Sequence, residues 1–69
     1  MNKKLKINNM KCMGCVNRIK NTIDMLDNVK INNINLEEKT IDIEVKDNNV
    51  LNNVITTIKN LEFEVEVLS

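Results

Sequence analysis

Aliphatic residues in this chain recur at two different spacings, and the order in which those spacings alternate restricts the fold more than any other feature. Leu5 and Ile7 alternate with Lys4, Lys6 and Asn8, the pattern of a half-buried strand from about Lys3 to Asn9. After a loop holding Gly14, the residues Val16, Ile19, Ile23 and Leu26 follow at helical spacing, with Asn17, Arg18, Lys20, Asn21 and Asp24 on the opposite face. Asp27 and Asn28 supply turn chemistry. A second strand is expected from Val29 to Leu36, but its alternation slips phase at Asn32 and Asn33, which predicts a bulge or local twist. Glu37, Glu38 and Lys39 form a polar turn into a third strand that carries Ile41, Ile43 and Val45 on one face. Asp47 and Asn48 are N-cap candidates for a second helix over 49–61, whose apolar stripe is Val50, Leu51, Val54, Ile55, Ile58 and Leu61. Phe63, Val65 and Val67 then alternate with Glu62, Glu64 and Glu66 as a last strand.

The order βαββαβ predicts an α+β, ferredoxin-like sandwich with two helices on one face of a four-stranded antiparallel sheet. A sheet covered on one side only accounts for the alternation in its strands. Residues 1–69 are expected to form one domain, since no linker, repeat or shift in composition divides them. A chain this short buries only about 60% of its unfolded surface. With one Phe and neither Trp nor Tyr, its core has to be aliphatic. The same shortage removes any platform for stacking nucleic-acid bases. Ten basic residues are interspersed with ten acidic ones, so nothing favours an undirected polyanion binder, and nucleic acid is not an expected partner. No apolar run of the length needed for a signal peptide or a membrane span follows Lys3 and Lys4, so a cytoplasmic protein without direct membrane insertion is expected.

Chemistry concentrates in Cys12-Met13-Gly14-Cys15, where the first strand should meet the first helix. Two cysteines this close in sequence close too small a loop to staple a fold, and in a reducing compartment they serve better as ligands or redox groups. Cys12 should lie in the loop and Cys15 in the first helical turn, with both sulfurs facing one point. The positive end of the helix and its unpaired N–H groups favour a thiolate there, and Lys11 and Arg18 push the same way, so Cys15 is expected to ionise more readily than a free thiol. Gly14 is expected to let the loop bend tightly. With no His and no further Cys, the pair cannot complete the tetrahedron of a structural zinc site. It suits a low-coordinate soft ion, and thiolate ligands point to Cu(I). An exposed two-ligand site also leaves an approach open for a third sulfur, which makes ligand exchange with a partner dithiol the expected mechanism.

The spacing alone also fits a thioredoxin-like redox pair. The chain, however, has no proline for that family's cis-proline loop and too short a βαβ pattern. Met13 is expected to be exposed, as a weak third ligand or a partner contact, and Met10 to pack at the strand end. Lys11, Arg18 and Lys59 form either a basic collar around the site or solvated surface. With no His and no Ser-based constellation, and with Glu62, Glu64 and Glu66 on a solvent-facing strand lacking an apolar pocket, no enzymatic activity is expected.

Asn9-Met10-Lys11-Cys12-Met13-Gly14-Cys15 resembles the Gly-Met-x-Cys-x-x-Cys signature of heavy-metal-associated domains, the family of copper chaperones and of N-terminal modules of copper-transporting P-type ATPases. The likeness covers the whole chain. It implies the βαββαβ fold, Cys12 and Cys15 as metal ligands, and Met10 buried beneath the loop. Phe63 stands where bacterial members often have a Tyr close to the metal loop, which implies shielding without a hydroxyl. Asn9 departs from the usual Gly, Lys11 from a common Thr or Ser, and Leu61-Glu62 from an Ala-Gly pair; the last change implies a different helix end and a differently shaped loop facing the metal. A chain from Met1 to Ser69 with no transporter attached resembles a free Cu(I) chaperone. The implied partner is a copper-transporting P-type ATPase bearing a similar dithiol domain. The implied state is a monomer, with a metal-bridged dimer sharing four sulfurs as the alternative. Carriage of Zn(II), Cd(II) or Hg(II), and thiol-disulfide exchange, are the competing readings.

Overall fold

The computed structural model describes residues 1–69. Its elements run β1 (Asn2–Ile7), α1 (Met13–Asp24), β2 (Val29–Asn35), β3 (Thr40–Val45), α2 (Asn48–Asn60) and β4 (Val65–Val67). The strands form one antiparallel sheet in the order β2-β3-β1-β4, with both helices packed on one face, the expected ferredoxin-like α+β fold. α1 lies against β2 and α2 against β3 and β4. Between the layers, Leu5, Ile7, Ile41, Ile43 and Val45 from the sheet meet Val16, Ile19, Ile23, Leu51, Val54 and Ile58 from the helices. All are residues that the two periodicities mark as inward-facing.

Differences from the expected boundaries have local causes. The last strand shrinks to Val65–Val67 because Phe63 lies in the turn after α2, where its N–H reaches back to the Ile58 carbonyl. α1 stops at Asp24; Leu26 still reaches the core, through a tighter final turn in which its N–H bonds the Ile23 carbonyl. The phase slip in β2 is a bulge. Ile31 pairs with Ile43 and Asn33 with Asp42, so Asn32 is the extra residue, and Ile31 and Ile34 both turn toward the core. Of the two N-cap candidates for α2, Asp47 is the cap: its Oδ1 accepts the Val50 N–H at 3.0 Å.

The outer sheet face explains the interspersed charges. Lys4 stands opposite Asp42, Lys30 opposite Glu44 and Lys6 opposite Glu66, so unlike charges meet across each pair of neighbouring strands.

Two changes probe this fold. Asp47→Ala removes the cap of α2 and should cost about 1 kcal/mol in a urea denaturation. Ile43→Ala, in a central strand with no exposed surface, should cost about 2–5 kcal/mol, enough to leave a domain of this size partly unfolded at room temperature.

Candidate metal site

The β1–α1 junction is built from the core outward. At the end of β1 the Met10 N–H bonds back to the Ile7 carbonyl, and the Met10 side chain is completely buried, the structural prop expected of it. Lys11 then leads out to the surface, and Cys12 occupies the N-cap of α1 with extended backbone, φ −152° and ψ 170°. The first turn of α1 closes when the Val16 N–H reaches the Cys12 carbonyl at 3.1 Å. Helical spacing from the cap therefore sets Cys15 on the same side as Cys12, and the two Sγ atoms lie 3.5 Å apart. Cys12 is exposed, whereas Cys15 is half-buried against the core.

The arrangement has the outline of a capping box, in which the N-cap and third helical residues share the unpaired N–H groups of the helix start. Here both are thiols. Cys12 caps nothing with its side chain, and the first turn holds no acidic residue. The Cys15 thiol is pushed below its ordinary value, first by a backbone hydrogen bond from Lys11 and then by the Cys12 thiol, against an opposing effect of burial; the Cys12 backbone and the Arg18 charge add smaller contributions. The easier ionisation expected of Cys15 is thus present. Lys11 supplies it through its backbone and not, as expected, through its ammonium group.

Gly14 differs from expectation. It lies within α1 and has no positive φ, so it does not serve a tight bend. A Cβ on Gly14 would lie 3.6 Å from the Cys12 sulfur, an ordinary contact. What glycine provides is open space beside that sulfur. Met13 projects into solvent, 60% exposed. Phe63 belongs to the core against which Cys15 packs. Lys11, Arg18 and Lys59 are all exposed.

No group of three or more His, Cys, Asp or Glu side chains converges anywhere in the chain. The donor set at this junction is two sulfurs. With metal–sulfur bonds of about 2.3 Å, two ligand sulfurs stand about 3.8 Å apart at a tetrahedral angle and about 4.6 Å apart when collinear. A pair at 3.5 Å needs only a small opening for the first geometry and about 1 Å for the second. Rotation of the exposed Cys12 side chain, whose hydrogen bond is to the Cys15 thiol alone, can supply it.

The position that sequence reasoning passed over is Asn9, noted only as a departure from glycine. Its side chain bonds the backbone of Glu62 and Glu64 on the far side of the site. An asparagine at a strand end, beside the motif, was the available signal.

The lowered Cys15 pKa is testable. In Cys12→Ser, thiolate absorbance near 240 nm should rise at lower pH in the folded protein than in the same variant unfolded in urea. Because the folded value lies below the unfolded one, the thiolate contributes stability that is fully present above the unfolded pKa and is lost as pH falls through the folded pKa. Coincident titrations would show that the backbone donors do not reach the sulfur.

Comparison with known proteins places the chain. A family model described as the heavy-metal-associated domain matches residues 4–64. A copper-exporting P-type ATPase of Staphylococcus haemolyticus is 34% identical over 67 residues, covering 96% of this chain, which spans 8% of that relative's length. Two solved structures share the fold at low identity. The N-terminal domain of ZntA in its Zn(II) form has a TM-score of 0.84 at 14% identity, over 99% of this chain and 92% of that one. Oxidized MerP from Ralstonia metallidurans CH34 has a TM-score of 0.81 at 15% identity, over 100% of this chain and 97% of that one. No helix is long and apolar enough to cross a membrane. The chain belongs to the heavy-metal-associated domain family, a family of metal-binding domains that are not themselves catalytic.

Proposed function

We propose that this domain is a cytoplasmic Cu(I) carrier that holds its ion between Cys12 and Cys15 and passes it by thiolate exchange to a copper-transporting P-type ATPase bearing a similar dithiol domain. The observation that carries this reading is the sulfur pair, 3.5 Å apart at a helix start, with Cys12 exposed and no third His, Cys, Asp or Glu converging on it. Two thiolates satisfy a soft, low-coordinate monovalent ion, whereas Zn(II) needs further ligands, and no His, Cys, Asp or Glu converges with the pair to supply them. The likeness to a copper-exporting ATPase supports the choice of ion and the class of partner.

The residues suit transfer more than storage. Cu(I) with two thiolates carries a net negative charge, which the N-terminus of α1 and Arg18 stabilise. An incoming thiolate approaches over Met13 and Gly14, where the surface is exposed and free of bulk beside Cys12. It forms a third metal–sulfur bond, one donor sulfur leaves, and the partner's second thiolate binds as the other donor sulfur departs. A Cys15 thiolate left behind keeps its backbone donors, so departure of the ion does not strand a bare anion.

An anaerobic competition between reduced protein and a coloured Cu(I) chelator tests the proposal, with Zn(II) titrated alongside. The expected outcome is one Cu(I) per chain and weak Zn(II) binding, with competition abolished in Cys12→Ala and in Cys15→Ala. Uptake of a full equivalent by Cys12→Ala/Cys15→Ala would overturn the ligand assignment. Tighter Zn(II) than Cu(I) binding would move the cargo to a borderline ion. The close sulfurs also fit a redox dithiol; catalysed reduction of insulin, together with failure to take Cu(I), would favour that reading.

A further inference from the structure

Two features of the chain that are far apart in sequence meet beside the site. Asn9 Nδ2 donates to the Glu62 carbonyl oxygen at 3.0 Å, and Asn9 Oδ1 accepts the Glu64 N–H at 2.8 Å. One carboxamide thus spans the turn between α2 and β4, and the neighbouring Asn8 N–H adds a bond to the Glu64 carbonyl at 2.9 Å. Glu62 sits at φ 70°, a left-handed conformation that glycine adopts freely and glutamate does not. Asn9 bonds the carbonyl of that same strained residue. The two departures from the family's glycines, at 9 and at 62, are therefore one coupled feature: the turn keeps a glycine-like backbone with a glutamate in it, and the asparagine holds it there.

The clamp lies three residues before Cys12. Between them stand only Met10, whose side chain is completely buried, and Lys11, which is exposed. The segment that presents Cys12 is consequently tied at two adjacent points, to the core by Met10 and to the α2–β4 turn by Asn9. We infer that Asn9 is a positioning residue for the metal loop: its carboxamide fastens the start of that loop to the α2–β4 turn and limits how readily the first turn of α1 opens when the ion leaves. Asn9 does not touch the ion. Its part in release rests on the Cu(I)-carrier reading, whereas its restraint of the loop does not.

The test compares Asn9→Ala with Val45→Ala, a buried change at the opposite end of β3, using the full chain and correcting rates for each variant's global stability. In the metal-free protein, hydrogen exchange is followed at the Val16 amide, whose bond to Cys12 closes the first turn. In the Cu(I)-loaded protein, the rate of transfer to a chelator is followed well below the melting temperature. Asn9→Ala should speed both by roughly fivefold to tenfold, the worth of about one net hydrogen bond, while Val45→Ala leaves both near the wild-type value. Unchanged Val16 exchange in Asn9→Ala, or equal acceleration by Val45→Ala, would overturn the inference. If wild-type protein takes up no Cu(I), the carrier reading fails on its own, and Val16 exchange still decides whether Asn9 restrains the loop.

Discussion

A helix leaves its first backbone N–H groups without intrahelical partners, and the two helices of this domain answer that demand differently. α2 satisfies it with the Asp47 carboxylate, which accepts the Val50 N–H. α1 has no oxygen to do so: its cap is Cys12, which makes no side-chain cap bond, and no acid occupies its first turn. The donors around that start remain available to sulfur, and those at Lys11 and Cys12 hold the Cys15 thiol below its usual pKa. A start closed by a carboxylate would be the more stable helix and the poorer host for a thiolate pair. The rest of the molecule has to hold that incompletely capped start in place.

Three restraints do this. The aliphatic core fixes the direction of α1 through Val16, Ile19 and Ile23. Met10 anchors the loop from beneath, and Asn9 fastens it sideways to the turn after α2. None of them bonds the Cys12 side chain, which is exposed and hydrogen-bonded to the Cys15 thiol. The site therefore combines one half-buried cysteine with one exposed cysteine. Opening the pair by about 1 Å needs rotation of one side chain and no change in the core. The charges of the outer sheet face stay out of this: Lys4, Lys6 and Lys30 stand opposite acids of the neighbouring strands.

Most of the architecture follows from residue spacing. Leu5 and Ile7, Ile41 to Val45, and the stripe from Val16 to Ile23 bury where their periods place them, because a strand or helix with one apolar face has only one way to hide it. Even the bulge at Asn32 was legible, since a slip in alternation cannot be accommodated in a regular ladder. Short segments were less legible. Phe63 alternates with Val65 and Val67 in sequence yet precedes the strand, because the left-handed Glu62 turns the chain just before it. Gly14 looked like a bend and proved to be a helical residue, for spacing does not reveal whether a glycine is needed for its torsion or for its missing side chain.

By itself, then, the sequence determined the βαββαβ order, the aliphatic core and the pairing of two cysteines at the start of the first helix, because these depend on local periodicity and on which residue types are present at all. Tertiary structure decided the rest. It set the separation of the two sulfurs, assigned the Lys11 backbone and not its charge to Cys15, and brought Asn9 against Glu62 and Glu64 across more than fifty residues of chain. A side chain's hydrogen-bond partner at that distance follows from the packing of whole elements, and no local pattern in the sequence encodes it.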